Sequence, residues 1–183
     1  MAIRNLTDLR QALPRGKRLI GLDLGAKTIG LALCDPGLSV ASPIGTLKRG
    51  KFTADARELA RVMAERDAGG LVIGLPVNMN GEEGSAAQSA RQFGLNLLER
   101  ADLFGREPEI VFWDERMSTM AINRLLVDEA DLSRKRRAEV VDKMAAAYIL
   151  QGALDALRYQ AARLDEAKAK ANQDVDAESE PDL

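Results

Sequence analysis

Three acidic residues that are distant in the sequence occur where strands and a helix could bring them together. Asp23 lies in an apolar strand-like segment, Glu115 follows another, and Asp142 lies near the start of an alanine-rich helical segment. Carboxylates are hard oxygen ligands, and several on rigid elements can hold Mg²⁺ or Mn²⁺ around a phosphate for in-line attack by water. The pattern predicts metal-dependent phosphodiester hydrolysis, in which Asp23 bridges two ions while Glu115 and Asp142 hold one each.

The composition excludes several other kinds of catalytic site. The 183 residues include no histidine, which excludes a histidine general base, a Ser-His or Cys-His triad and a zinc site built on imidazole. The single cysteine, Cys34, cannot form an internal disulfide. No N-terminal apolar run resembles a signal peptide or a membrane span, so we expect a soluble, cytoplasmic protein with no membrane partner.

The formal net charge of −2 is unevenly distributed along the chain. Residues 163–183 contain three basic and seven acidic residues, whereas the rest contains 23 basic and 21 acidic ones. A nucleic-acid partner must therefore be argued from a local cluster. The run Arg134, Lys135, Arg136 and Arg137 is predicted just before the final helix, where the helix dipole favours phosphates over cations. We expect it to contact phosphates; a solvated surface is the alternative.

Short apolar segments separated by turn residues predict a mixed sheet. The first three predicted strands are joined by tight turns and should run antiparallel. Helical patterns precede the fourth and fifth strands, which should therefore lie parallel to the first through right-handed crossovers. The predicted strands are residues 18–24, 29–35, 38–47, 71–75 and 109–114.

The helical patterns complete a ribonuclease H-like α/β fold, a five-stranded mixed sheet flanked by helices. A glycine pair at 69–70 is predicted to end the first crossover helix, and residues 122–126 mark a short helix. A long final helix is predicted over residues 138–162. We expect one nuclease domain over residues 1–162 and an acidic, disordered tail over residues 163–183.

This topology would place the acidic residues at one edge of the sheet. Asp23 and Glu115 would lie near the carboxyl ends of neighbouring parallel strands. The small residues 145–147 would let the final helix approach the sheet and bring Asp142 to them. Because side chains alternate along a strand, only one of Asp114 and Glu115 should face Asp23. We favour Glu115 and keep Asp114 as the alternative.

Two further features could contact a substrate. Lys27 lies in the turn after the first strand and would position a phosphate backbone. The loop over residues 76–84 leads to a helix N-terminus and could line a groove through Asn78 and Asn80. A simple crossover loop without substrate contacts is the alternative.

Four ordered motifs resemble those of the YqgF/RuvX family over roughly residues 17–157. They are Gly21-Leu22-Asp23-Leu24-Gly25-Ala26-Lys27-Thr28-Ile29-Gly30, Gly74-Leu75-Pro76-Val77-Asn78-Met79-Asn80-Gly81, Asp114-Glu115-Arg116-Met117-Ser118-Thr119 and Val141-Asp142-Lys143-Met144-Ala145-Ala146. The resemblance implies a bacterial nuclease that trims the 5′ end of pre-16S rRNA, with Asp23, Glu115 and Asp142 as metal-binding acids. We also expect Arg116 to contact the substrate.

Other functions stay open at this point. The resemblance also implies a possible Holliday junction resolvase acting on branched DNA. The related RuvC resolvases carry their second acid just after the fourth strand, where this chain has Gly74-Leu75-Pro76, and this departure weakens that alternative. An actin-like phosphate-binding protein would need a second domain, and a non-catalytic nucleic-acid-binding module would not need three acids. Ribosomal precursor particles are expected partners, and both monomer and homodimer are open.

Overall fold

The computed structural model describes residues 3–78, 80–116 and 134–177. In the last of these segments, side chains are described only at 144–167, 169 and 170. The predicted short helix at 122–126 therefore lies outside the described residues, as do the side chains of Asp142 and of the basic run 134–137.

Five strands form one mixed sheet, as predicted. They are β1 Arg18–Leu24, β2 Thr28–Cys34, β3 Ala41–Lys48, β4 Ala68–Leu75 and β5 Glu109–Asp114. Their order is β3-β2-β1-β4-β5, with β1–β2 and β2–β3 antiparallel and β1–β4 and β4–β5 parallel. The sheet confirms the predicted ribonuclease H-like fold, with three antiparallel strands followed by two parallel ones.

The strands that carry Asp23 and Glu115 are not neighbours, which corrects the sequence prediction. The second crossover adds β5 outside β4, so β4 separates β5 from β1. Leu22 pairs with Ile73, and Gly74 pairs with Trp113. Asp23, Gly74 and Trp113 therefore form one row across the three parallel strands, with Gly74 in the middle.

Helices cover both faces of the sheet. They are α1 Leu6–Ala12, α2 Phe52–Glu65, α3 Ser85–Glu99 and α4 Arg134–Ala177. Helices α2 and α3 pack on one face and α1 and α4 on the other, around two separate apolar clusters. The sequence prediction missed α1, since seven residues contain too little periodicity to indicate a helix. None of the described helices is long and apolar enough to cross a membrane.

Strand β3 begins at Ala41 and not at the predicted residue 38, because residues 38–40 belong to the preceding turn. The Asp35 carboxylate accepts hydrogen bonds from the backbone N–H groups of Ser39 and Val40, both at 2.7 Å. Leu38 adopts a left-handed conformation in the same turn, with φ 55°. The side chain of Asp35 thus organises residues that the hydrophobic pattern assigned to the strand.

The glycine pair at 69–70 belongs to β4 and does not end a helix, contrary to the sequence prediction. Helix α2 ends at Glu65, and Asp67 takes the left-handed conformation with φ 54°. A β-carbon at position 70 would lie 2.9 Å from Leu19 Cδ2 and 3.1 Å from the Glu109 carbonyl oxygen. Glycine at this position therefore permits close packing between strands rather than chain reversal.

The final helix is longer than predicted at both ends. It spans Arg134–Ala177, whereas the sequence predicted residues 138–162 and disorder beyond them. Arginine, lysine, alanine, glutamate and glutamine all favour helix, which explains why the helix includes the basic run and continues past residue 162. The described side chains at 162–167 are exposed, so this part of α4 extends without packing against the sheet.

Candidate functional site

Asp23 lies on the face of β1 that α4 covers. It is half-buried and pairs with Gly30 of β2. Two residues earlier, on the same face, a β-carbon at Gly21 would lie 2.7 Å from both the Ala146 carbonyl oxygen and Leu150 Cβ. The predicted close approach of the final helix is thus confirmed, and it depends on glycine in the strand as well as alanine in the helix.

Glu115 reaches from β5 across β4 towards Asp23. Its backbone N–H donates to the Leu75 carbonyl oxygen at 3.1 Å, which holds the residue beside the end of β4. A β-carbon at Gly74 would lie 2.6 Å from Glu115 Oε1 and 2.5 Å from Ile149 Cδ1. The carboxylate therefore lies in space that any larger residue at position 74 would occupy.

The electrostatics of Glu115 reflect this position. Burial, the neighbouring charge of Asp23 and then that of Asp114 raise the pKa of Glu115 from 4.5 to about 7. Two carboxylates close enough to repel in this way form a negative field, which a divalent cation would relieve. The site is therefore electrostatically suited to a hard metal ion.

Asp114 is turned to a different partner. Its carboxylate accepts hydrogen bonds from Arg116 Nε at 3.0 Å and Arg116 Nη2 at 2.6 Å, and from the Arg116 backbone N–H at 3.0 Å. This arginine holds the pKa of Asp114 below its usual value. The two neighbouring acids thus have different partners: Glu115 interacts with Asp23, and Asp114 binds Arg116.

The third predicted acid, Asp142, lies in α4 one turn before Ala146. Its side chain is outside the described residues, so the structure gives no position for this carboxylate. Among the described side chains, no group of three Asp, Glu, His or Cys residues comes together as a metal site. The described part of the site is the Asp23–Glu115 pair, whose donors are all oxygen atoms and fit Mg²⁺ or Mn²⁺.

The described residues of the loop over 76–84, which do not include residue 79, form a small hairpin. Val77 pairs with Glu83, and the Gly81 N–H donates to the Asn78 carbonyl oxygen at 2.8 Å. A β-carbon at Gly81 would lie 3.9 Å from Arg116 Nη1, so the hairpin lies next to the predicted substrate contact Arg116. This hairpin therefore belongs to the same edge of the sheet as the acidic pair.

The polar side chains predicted to contact the substrate differ in their availability. Lys27 and Asn78 are exposed. Asn80 is exposed as well, but its amide bonds within the hairpin, donating to Glu82 Oε2 at 2.9 Å and accepting from the Glu82 N–H at 3.1 Å. Arg116 is exposed while its guanidinium forms the ion pair with Asp114. Lys27 and Asn78 are the members of this set best placed for a ligand.

Gly74 has a place in the site that its sequence context did not predict. The signal was present, since a single glycine interrupts the otherwise bulky apolar run 71–75 one residue from the end of the strand. A glycine there suggests close approach of another group. Which group approaches depends on the order of the strands.

Comparison with known proteins identifies relatives over most of the chain. The sequence model of the family RuvX, described as Holliday junction resolvase, matches residues 17–156. A protein of Rhodospirillum centenum named "Putative pre-16S rRNA nuclease" is 66% identical over 158 residues, which is 86% of this chain and 84% of that protein. A Phenylobacterium zucineum protein of the same name is 58% identical over 159 residues, 86% of this chain and 99% of its own length.

Solved structures show a weaker likeness. RuvC of T. thermophilus in complex with a Holliday junction substrate is 12% identical, with a TM-score of 0.46 over 73% of this chain and 91% of its own. The yeast mitochondrial Holliday junction resolvase is 8% identical, with a TM-score of 0.46 over 84% of this chain and 86% of its own. The assignment of the fold depends on the strand order and directions rather than on these scores.

Proposed function

Because the chain belongs to the RuvX family, we propose that it is a metal-dependent nuclease that processes the 5′ end of pre-16S rRNA by two-metal phosphodiester hydrolysis. The Rhodospirillum centenum and Phenylobacterium zucineum relatives carry the name of a pre-16S rRNA nuclease, and the match covers at least 84% of their own length. Such a role would bring the protein into contact with ribosomal precursor particles in the cytoplasm.

The observation that best supports this function is the approach of Glu115 to Asp23 over Gly74. Burial contributes most to the raised pKa of Glu115, and the charge of Asp23 raises it further, so these two carboxylates repel each other at the edge of the sheet. Bringing like charges together in a half-buried position costs free energy that an apolar core would avoid. A bound divalent cation would offset this repulsion, so the paired carboxylates are what a metal-binding site requires.

Separate groups of residues would bind the metal ions and the phosphate backbone. Asp23 and Glu115, with Asp142 as the proposed third ligand, would hold Mg²⁺ or Mn²⁺, which when bound activates water and stabilises the leaving oxygen. Lys27, Asn78 and the basic run 134–137 would bind the phosphate backbone without reading sequence. The Asp114 carboxylate keeps Arg116 at the edge of the site, next to the hairpin.

Cleavage of four-way DNA junctions is the second candidate function. It is favoured by the description of the RuvX family as Holliday junction resolvase. The fourth strand ends here at Leu75 and Pro76 follows it, without the acid that the RuvC resolvases carry just after this strand. We therefore place RNA processing first.

A comparison of substrates under defined metal conditions tests the proposal. Purified protein is incubated with an RNA that contains the 5′ leader of pre-16S rRNA, with a four-way DNA junction and with linear duplex DNA. We expect cleavage of the RNA with Mg²⁺ or Mn²⁺, none in EDTA, and recovery when metal is returned. Undiminished activity in chelator would contradict the metal mechanism, and cleavage of the junction alone would select the second candidate. The variant Asp23→Asn serves as the inactive control.

A further inference from the structure

A cavity of about 310 Å³ lies beside the candidate site, on the opposite face of the sheet. Arg49, Ser85 and Ser89 supply its polar groups, and Leu24, Ala86 and Ala90 form much of its apolar lining. We call it the α3 pocket.

We propose that the α3 pocket binds a sugar–phosphate unit of the RNA strand adjacent to the phosphate cleaved at Asp23 and Glu115. This inference rests on the proposed nuclease function and adds to it a substrate contact in which Arg49 is the principal cation.

The position of the pocket suits a strand that continues past the acidic pair. Leu24 directly follows Asp23 in β1, and the two side chains point to opposite faces of the sheet. Leu24 packs with the cluster under α2 and α3, and Ala26 of the β1–β2 turn also lines the pocket. A polynucleotide that crosses the carboxyl end of β1 therefore passes from Asp23 to the α3 pocket.

The guanidinium of Arg49 is held in place in the α3 pocket by two contacts within the protein. Its Nη1 donates to the Gly25 carbonyl oxygen at 2.7 Å, and its guanidinium lies 6.0 Å from the centroid of the Phe93 ring. Within the described part of the chain, no carboxylate lies within ion-pair distance of this guanidinium, although Arg91 and Arg116 each pair with an acid. One of its five N–H donors is used by Gly25, and the others can bind a phosphate.

Ser85 and Ser89 add neutral hydrogen-bonding groups opposite this cation. They are four residues apart on α3, so both hydroxyls lie on the same side of the helix, and both residues are exposed. The helix begins at Ser85 without a side-chain cap, so its first backbone N–H groups add to the positive character of the pocket. Arginine and serine are typical of contacts to phosphate and sugar.

The lining favours the nucleic-acid backbone over a base. None of the residues that line the α3 pocket is aromatic, so a base has no ring on which to stack. The small side chains of Ala86 and Ala90 leave the pocket wide enough for a sugar to enter with its phosphate. We therefore expect binding that depends strongly on salt and weakly on sequence.

The first test replaces the charge of Arg49. Arg49→Gln keeps an amide that can donate to the Gly25 carbonyl oxygen but removes the cation. We expect it to bind single-stranded RNA from the pre-16S leader about tenfold more weakly, and to lower the slope of log K against log salt by about 0.7. Binding is measured in EDTA so that no cleavage occurs. Arg57→Gln is the matched control, because Arg57 is exposed on α2 and near Asp102 rather than the pocket.

A second variant covers the case in which Arg49→Gln fails to fold. Ser89→Asp puts a negative charge into the pocket from an exposed helical position and leaves the bond from Arg49 to Gly25 intact. It should also weaken RNA binding by about tenfold. When both variants are folded, their thermal stabilisation by Mg²⁺ should equal that of wild type, because neither residue belongs to the acidic pair.

The outcomes for the pocket and for the nuclease are distinguishable. If wild type cleaves RNA while both variants bind it with unchanged affinity and salt slope, the pocket proposal is overturned and the nuclease proposal stands. If wild type binds RNA but cleaves neither RNA nor DNA, while the variants bind more weakly, the pocket stands and the nuclease proposal fails. A loss of binding confined to four-way DNA would overturn the assignment of the pocket to RNA.

Discussion

Glu115 Oε1 lies in the space above Gly74, 2.6 Å from where a β-carbon at that position would be. Because Gly74 in the middle strand has no side chain, the space between β5 and β1 is free above it. The side chain of Glu115 occupies this space and approaches Asp23. This relationship connects a strand residue with no side chain to the electrostatics of the proposed metal site, and it can be tested directly.

Gly74→Ala should remove activity at a moderate cost in stability. The added methyl group meets both Glu115 Oε1 and Ile149 Cδ1, so the variant should lose about 1–3 kcal/mol in its free energy of unfolding. The double variant Gly74→Ala with Ile149→Val relieves only the contact with the helix. Stability should then recover in part while cleavage stays low, which thermal melts and cleavage rates would show.

The control for this experiment is Gly50→Ala. A β-carbon at position 50 would lie 3.6 Å from Asp55 Oδ1, an ordinary contact, so activity should match wild type. Full activity in Gly74→Ala would show that Glu115 does not need its observed position.

Asp23→Asn should abolish cleavage with little change in fold. The amide keeps the shape of the carboxylate but loses the charge that would bind the metal, so we expect a loss of at least about a hundredfold in rate. The variant should also lower the pKa of Glu115, because the charge of Asp23 contributes to raising it. Cleavage rates and an NMR titration of Glu115 test both effects; a wild-type rate would exclude Asp23 as a ligand.

The neighbouring acids should differ in their effect on the reaction. Glu115→Gln removes the carboxylate that interacts with Asp23, whereas Asp114→Asn weakens the ion pair with Arg116 and leaves the carboxylates of Asp23 and Glu115 in place. We expect the first variant to lose far more of kcat than the second. The reverse order would reassign the second metal ligand to Asp114.

The stability of the metal-free protein should depend on pH through Glu115. The pKa of this group is about 7 in the folded state and 4.5 as its ordinary value, so between these values the folded state binds more protons than the unfolded state. The free energy of unfolding should therefore fall as pH rises from about 4.5 to 7, by about 2 kcal/mol after allowance for partial exposure.

Glu115→Gln provides the reference for that measurement. Its side chain does not titrate, so the difference in stability between wild type and variant reports on Glu115 and the carboxylates coupled to it, and cancels the distant groups. Urea unfolding across this pH range, in EDTA and again with Mg²⁺, should show the loss and its reversal by metal. A difference that does not vary with pH would contradict the raised pKa.

The basic run of α4 remains a prediction because its side chains lie outside the described residues. Changing Arg136 and Arg137 to alanine should weaken RNA binding and reduce the salt slope by about 0.7 for each lost contact on a single strand. Metal-induced stabilisation should be unchanged. Equal affinity and slope in wild type and variant would identify the run as a solvated surface.

Local patterns in the sequence were sufficient for much of the architecture. The bounds of β1 and β5 and the direction of each strand relative to β1 were predicted correctly, because turn residues and hydrophobic runs act over a few neighbouring positions. The same patterns failed at Leu38, where the carboxylate of Asp35 organises the chain, and at Gly70, where packing against Leu19 requires a glycine. In both cases a side-chain contact outweighed the local preference.

The sequence by itself determined which groups are available for chemistry: carboxylates and no histidine, with Asp23 and Glu115 at the ends of strands. Only the tertiary structure decided that β4 separates those strands, that Glu115 crosses at Gly74 and that Asp114 binds Arg116. The physical reason is that lateral strand order and burial depend on contacts between residues distant in sequence. Those contacts, and not the identity of the acid, raise the pKa of Glu115.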